Sequence, residues 1–96
     1  MTRPTEVPIM GVDFDILYAE QIGDDDAVFG ETQAARRKIF IKEGQTEEDM
    51  ERTLLHEVIH AVLGVGGVAE LLSGKAEEAV VVALENGLYP LFKRKF

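Results

Sequence analysis

The segment "TLLHEVIHAVLG", residues 53–64, carries the strongest signal in this sequence. Every residue between Leu54 and Leu63 is apolar except His56, Glu57 and His60, and these two histidines are the only ones in the chain. An apolar helix of this kind is expected to lie in the protein interior. Because an unpartnered buried polar group costs about 1–3 kcal/mol, the three polar side chains require binding partners there.

A metal ion would provide these partners. Residues four apart lie on the same face of a helix, so His56 and His60 can direct their imidazoles to one ion. A catalytic zinc site combines three protein ligands with an open position for water. Glu57 lies about 100° around the helix from His56, where its carboxylate can act as a general base on that water. The alternative is that both histidines are core residues satisfied by ordinary hydrogen bonds.

Helix-end signals flank the motif. Thr46 is a predicted N-cap followed by acidic residues, and Gly64 begins a "GVGG" stretch that ends the helix. After a connection with a short helical turn, a second helix is predicted over 75–93. Pro90 lacks a backbone N–H, so a kink or break is expected at 86–87.

Three strands are predicted before the first helix. "VDFDILYAE" (12–20) alternates apolar and polar residues, and shorter strands are predicted around "AVFGET" (27–32) and "KIFIKE" (38–43). Residues 1–9 contain two prolines and no periodicity, which indicates a flexible lead-in. The predicted fold is α+β, with a small three-stranded, mainly antiparallel sheet followed by two packed helices in a single domain over 1–96.

Composition limits the function classes. With 96 residues, 46% of them hydrophobic, the chain can bury one modest core. A net charge of −8 argues against a nucleic-acid-binding protein, and the absence of cysteine restricts metal ligands to nitrogen and oxygen. No apolar run approaches the roughly 20 residues of a membrane span, and the N-terminal region lacks a signal-peptide pattern. We therefore expect a cytoplasmic protein without membrane or nucleic-acid partners.

The segment "TLLHEVIHAVLG", followed by "EEAVVVALENGLYPLF" (77–92), resembles the minimal zincin metallopeptidases of the gluzincin type. It is especially similar to small phage and prophage proteins of that pattern, over residues 28–92. The resemblance implies that the two histidines and a glutamate of the next helix bind Zn²⁺. It also implies that Glu57 activates water to hydrolyse a peptide bond, and that the strand "KIFIK" (38–42) aligns a peptide or protein substrate as an added strand.

Two adjacent glutamates compete for the place of third ligand. Glu77 lies four residues before Val81 and seven before Leu84, which centres it on the apolar stripe of the second helix. The spacing after Glu78 is closer to that of related families, so we assign Glu78 as the metal ligand and keep Glu77 as the alternative. The other glutamate is expected to be solvated or to support a metal-binding residue without binding the metal itself. Glu85 is a candidate to orient a histidine.

Three functional hypotheses follow. The first is a zinc-dependent peptidase with His56, His60 and Glu78 as ligands and Glu57 as the catalytic base. The second is an interaction module in which zinc is only structural. The third is a latent peptidase whose segment "TRPTEVPIM" (2–10) occupies the substrate cleft.

Overall fold

The computed structural model describes residues 3–93, which form a four-stranded sheet and two long helices. The strands are β1 (Glu6–Ile9), β2 (Val12–Ala19), β3 (Gly30–Gln33) and β4 (Lys38–Lys42). The helices are α1 (Glu47–Val65) and α2 (Gly74–Lys93). Short 3₁₀ turns at Ala34–Arg36 and Ala69–Leu71 precede β4 and α2. The predicted α+β class is confirmed.

The sheet is mixed, with strand order β1-β2-β4-β3. β1 pairs with β2 and β3 pairs with β4 in antiparallel fashion, whereas β2 and β4 run parallel in the centre. The pairing is parallel because the connection from β2 contains β3, which reverses the chain before β4 returns beside β2. The prediction of three mainly antiparallel strands is therefore wrong in strand number and in the central pairing.

The additional strand is β1. Residues 10–11 form its turn into β2 and have φ values of 51° and 81°, as expected for a two-residue type I′ hairpin. Pro8 is tolerated because β1 is an edge strand, where a missing N–H leaves no gap in a central ladder. The prediction of a flexible lead-in over 1–9 is thus wrong where β1 forms, and residues 1–2 lie outside the described part of the chain.

The hydrophobic core lies between the central strands and α1. Phe14, Ile39 and Ile41 are 0–1% exposed, and Ala61 of α1 belongs to the same cluster. On its other side α1 packs against α2, whose Val81 is completely buried. The histidine motif therefore lies on the central helix of the fold, between the sheet and α2.

The helix ends agree closely with the sequence signals. Thr46 caps α1, with its side-chain oxygen accepting a hydrogen bond from the Asp49 backbone N–H at 3.1 Å. α2 continues as one helix past residues 86–87, so the predicted break is absent. The carbonyl that Pro90 leaves without a helical donor belongs to Asn86, which is exposed and accessible to water. Neither helix within residues 3–93 has the length and apolarity needed to cross a membrane.

Candidate metal centre

α1 presents the three motif residues in two directions. His56 and His60 extend toward α2 with side chains that are 22% and 19% exposed. Glu57 is turned toward β3 and is only 6% exposed. The separation follows from helix geometry, because residues four apart share a face and the residue next to one of them lies about 100° away.

The carboxylate of Glu78, on the first turns of α2, lies against both imidazoles. Its Oε1 is 3.0 Å from His56 Nε2, and its Oε2 is 3.2 Å from His60 Nε2. Each separation is close to the roughly 3.3 Å between neighbouring ligands of a tetrahedral zinc ion, and the two contacts are made by different oxygens of the carboxylate. The structure therefore brings together His56, His60 and Glu78 as a group that could hold a metal ion, with ligand atoms within 4.8 Å of one another.

Each histidine also contacts a second carboxylate through its other ring nitrogen. His56 Nδ1 is 2.8 Å from Glu85 Oε1, and His60 Nδ1 is 2.6 Å from Glu77 Oε2. An ionised carboxylate only accepts hydrogen bonds, so with a metal on each Nε2 the Nδ1 atoms would carry the protons and donate them to Glu85 and Glu77. The expected contact between Glu85 and a histidine is present. Glu77 contacts His60 at Nδ1, the ring nitrogen that does not face Glu78.

Arg52 connects α1 to Glu85, the carboxylate that contacts His56 Nδ1. Its Nε donates to Glu85 Oε2 at 3.0 Å, and its Nη2 donates to Asn86 Oδ1 at 2.8 Å. Arg52 was not among the residues predicted from the sequence. A usable signal was present, because Arg52 precedes His56 by four residues and so lies on the same helical face.

Glu57 is held by the edge strand β3. The Thr32 hydroxyl lies 2.8 Å from Glu57 Oε1 and 2.9 Å from the Glu57 carbonyl oxygen. At Gly30, a Cβ atom would lie 2.8 Å from Glu57 Oε2, so any larger residue would displace this carboxylate. Neither Gly30 nor Thr32 was predicted from the sequence, because nothing local to β3 indicates which helix the strand contacts.

The surroundings of Glu57 raise the pKa of its carboxyl. Burial is the main cause and raises the pKa of its carboxyl above the ordinary value, and the charge of Glu78 acts in the same direction. The hydrogen bond from Thr32 and the neighbouring histidines lower the pKa and so oppose this effect. A buried carboxyl with raised proton affinity next to metal-binding groups has the properties of a general base.

The centre opens into a cleft of about 980 Å³ that is lined by residues of α1, of α2 and of the chain entering β3. The predicted substrate strand, residues 38–42, is not an edge strand of the sheet, because β4 is hydrogen-bonded to β2 on one side and to β3 on the other. The free edge belongs to β3. Lys42 N donates to Phe29 O, so the alternation of an antiparallel ladder directs the N–H and C=O of Gly30 and Thr32 outward.

The N-terminal segment contributes no residue to the lining of the cleft, although its Arg3 pairs with the cleft-lining Glu43. β1 forms the opposite edge of the sheet from β3, and none of residues 3–10 lines the cleft. The arrangement therefore gives no support to the hypothesis that residues 2–10 occupy the substrate site.

Comparison of the chain with protein-family models, with curated proteins and with solved structures finds no match. The resemblance to zincins therefore stays a prediction from the motif. The functional argument rests on the geometry of the described residues.

Proposed function

We propose that this protein is a zinc-dependent peptidase in which His56, His60 and Glu78 hold the metal and Glu57 is the general base. The observation that carries the proposal is the position of the Glu78 carboxylate, within 3.2 Å of Nε2 of both histidines. Two imidazoles and one carboxylate are a donor set that zinc commonly accepts. The carboxylates on both Nδ1 atoms complete the hydrogen-bonding pattern usual for zinc-binding histidines.

The number of ligands favours catalysis over a structural role. A structural zinc site is closed by four protein ligands, whereas a catalytic site has three and an open position. Within residues 3–93 the group contains three ligand residues, and the cleft adjoins all of them. This observation favours the peptidase over the interaction module.

Glu57 performs the proton transfers. Zinc bound at this centre would supply a Lewis acid and lower the pKa of water in the site. Glu57 accepts a proton from the attacking water and returns it to the leaving amine. Thr32 fixes one carboxylate oxygen by its hydrogen bond, and Gly30 leaves room for the other.

The free edge of β3 aligns the substrate. An extended peptide can pair with the outward N–H and C=O groups of Gly30 and Thr32, next to the buried base. Since main-chain hydrogen bonds do not distinguish side chains, we expect a broad sequence preference. The edge of β4 is excluded from this role by its pairing with β3.

The test combines zinc content with peptide hydrolysis. Native mass spectrometry is expected to find one zinc per chain in the wild type and in Glu57→Gln, and none in His60→Ala. Hydrolysis of a mixed peptide library is expected to fall about 10²–10⁴-fold in Glu57→Gln, the range typical of a lost general base. Glu6→Gln, an exposed change on the far edge of the sheet, is the matched control and should keep both properties.

Two results would contradict the proposal in different ways. Wild-type protein that binds zinc but does not hydrolyse any peptide of the library would support the structural-zinc module. Wild-type protein that carries no zinc after zinc is supplied would make His56 and His60 core residues bound by carboxylates.

A further inference from the structure

A second cavity, of about 300 Å³, adjoins the candidate metal centre. Glu57 and His60 line both this cavity and the larger cleft, so they lie where the two spaces meet. Along β3 and along α1 the cleft comes first and the second cavity follows. We call the second space the rear cavity; besides Glu57 and His60, it is lined by Thr32, Ala34, Gly64, Ala69 and Glu77.

The apolar walls of the rear cavity are formed by small residues. Ala34 and Ala69 belong to the two 3₁₀ turns, and Gly64 lies near the end of α1. A Cβ atom at Gly64 would lie 3.0 Å from the Ala34 Cβ, which is closer than ordinary van der Waals contact. Both alanines are only partly exposed, so a longer side chain at either position would extend into the cavity. These three residues therefore leave a space that a side chain of a ligand could fill.

The polar groups that line the rear cavity are already hydrogen-bonded to one another. The Thr32 hydroxyl lies 2.8 Å from Glu57 Oε1, and Glu77 Oε2 lies 2.6 Å from His60 Nδ1. No buried side-chain polar atom within residues 3–93 lacks a hydrogen-bond partner. A ligand group in this cavity would therefore gain apolar contact rather than a needed hydrogen bond, and a carboxylate there would lose its hydration next to two other carboxyl groups.

The rear cavity lies beside the path of a peptide bound to the free edge of β3. Gly30 and Thr32 both face α1, since a Cβ atom at Gly30 would contact Glu57 and the Thr32 hydroxyl is bonded to it. Residues directly opposite one another in paired strands direct their side chains to the same face of the sheet. A peptide residue opposite Gly30 therefore points into the cleft, and one opposite Thr32 points toward the rear cavity. Because Thr32 is bonded to the proposed base, this second peptide residue lies close to the scissile bond.

We infer that the rear cavity binds one aliphatic side chain of the peptide, next to the bond that is cleaved. This role rests on the proposed peptidase function and narrows the substrate class to peptides with a leucine-like residue at that position. Every other position keeps the broad preference expected from main-chain pairing. The selection should be at least about 10-fold, since one methylene group in a hydrophobic pocket changes kcat/KM by about 10–200-fold.

Hydrolysis of alanine octapeptides with a single internal leucine tests this role in the zinc-loaded full chain. When the leucine is moved along the peptide, the cleaved bond should move with it and stay on the same side of it, with kcat/KM at least about 10-fold above octa-alanine. Lysine in place of leucine should give no such gain. Ala69→Leu fills the cavity and should remove the leucine gain. Ala35→Leu is the matched control and should keep it, because it is the same enlargement at an exposed residue outside the cavity.

A binding measurement provides a second test that requires neither turnover nor the enlarged variant. In zinc-loaded Glu57→Gln, alanine methyl groups labelled with ¹³C report contacts with the same peptides by NMR. The leucine peptides should shift the methyl resonances of Ala34 and Ala69 more than octa-alanine does. The resonance of the exposed Ala35 should not change.

The role of the rear cavity and the peptidase function can fail separately. The role is overturned if the cleaved bond does not follow the leucine, if lysine gives an equal or larger gain, or if Ala69→Leu keeps the gain. It is also overturned if the methyl resonances of Ala34 and Ala69 do not respond to any leucine peptide. Methyl shifts at both alanines without hydrolysis by the wild type would instead uphold the cavity as a peptide-binding site and contradict the peptidase.

Discussion

The helices α1 and α2 together supply the three residues of the group that could hold a metal ion, but the fold holds the two helices very differently. α1 is packed between the sheet and α2, and its Glu57 is 6% exposed. α2 packs against α1 alone among the long elements, and the side chain of its ligand Glu78 is 52% exposed. The two histidine side chains are therefore only 22% and 19% exposed on a helix packed on both sides, whereas the Glu78 carboxylate lies at the surface.

Because of this difference, we call His56 and His60 the fixed half of the site and Glu78 its adjustable half. The core packing of α1 sets the positions of His56 and His60 before any metal arrives. The position of Glu78 depends on how α2 lies across α1, which involves a smaller packed surface. A metal that binds both halves is therefore expected to stabilise the contact between the helices, since ligand binding stabilises the state that contains the complete site.

Two single substitutions, one in each half, should give the largest effects on zinc binding. His60→Ala removes a fixed ligand and should abolish stoichiometric zinc binding. Glu78→Ala removes the adjustable ligand and should weaken binding while leaving the two histidines able to hold zinc. Zinc titration against a competing chelator measures both variants, and Glu77→Ala tests the neighbouring glutamate. An equal loss in His60→Ala and Glu78→Ala would show that the two halves are equally important.

Loss of the Arg52 hydrogen bonds between the helices should give the next largest effect on zinc affinity. Arg52 of α1 binds both Glu85 and Asn86 of α2, and Glu85 in turn contacts His56. Arg52→Gln should lower zinc affinity about 10–100-fold, as is typical when a group supporting a metal ligand is lost. Arg52→Lys should recover only part of this affinity, because an ammonium cannot reproduce the planar guanidinium contacts.

Arg36→Gln is the control for this change, since it removes the same charge from an exposed 3₁₀ turn. Zinc affinity and the midpoint of thermal unfolding should be measured for all three variants without and with metal. If Arg52→Gln lowers the unfolding midpoint of the metal-free protein but leaves zinc affinity unchanged, Arg52 only supports helix packing.

Local signals explain why the motif and the helix ends were predictable from sequence. The spacing of His56 and His60 fixes a shared face within one turn of helix, and Thr46 and the first acidic residues mark a helix start without reference to the rest of the chain. The alternating pattern of 12–20 identified β2 for the same reason. These features depend on residues a few positions apart.

Non-local pairing explains what was missed. Nothing in "KIFIK" shows that its outer edge is covered by β3, and the prolines before residue 9 concealed an edge strand. Glu77 and Glu78 are adjacent and differ by about 100° around α2, so only the crossing of α2 over α1 determines which reaches the Nε2 atoms. Thr32 was missed because its partner is 25 residues away in sequence.

Removal of the N-cap hydroxyls of the two helices should give the smallest effects on stability and zinc affinity. Thr46 accepts a hydrogen bond from the Asp49 N–H, and Ser73 accepts one from the Ala76 N–H, both at 3.1 Å. Thr46→Ala should lower the free energy of unfolding by about 1 kcal/mol, because α1 is part of the core. Ser73→Ala should instead loosen the first turn of α2, directly before Glu78, by local opening that leaves most of the fold intact.

Chemical denaturation and zinc titration of both cap variants therefore distinguish the fixed half from the adjustable half. The expected pattern is a loss of global stability in Thr46→Ala and a loss of zinc affinity in Ser73→Ala. Both substitutions remove a capping hydroxyl with the same hydrogen-bond length, and Thr46→Ala also removes a methyl group from an exposed side chain, so a difference in zinc affinity between them reflects how their helices are held. If Thr46→Ala lowers zinc affinity more than Ser73→Ala does, α1 rather than α2 is the helix whose position limits metal binding.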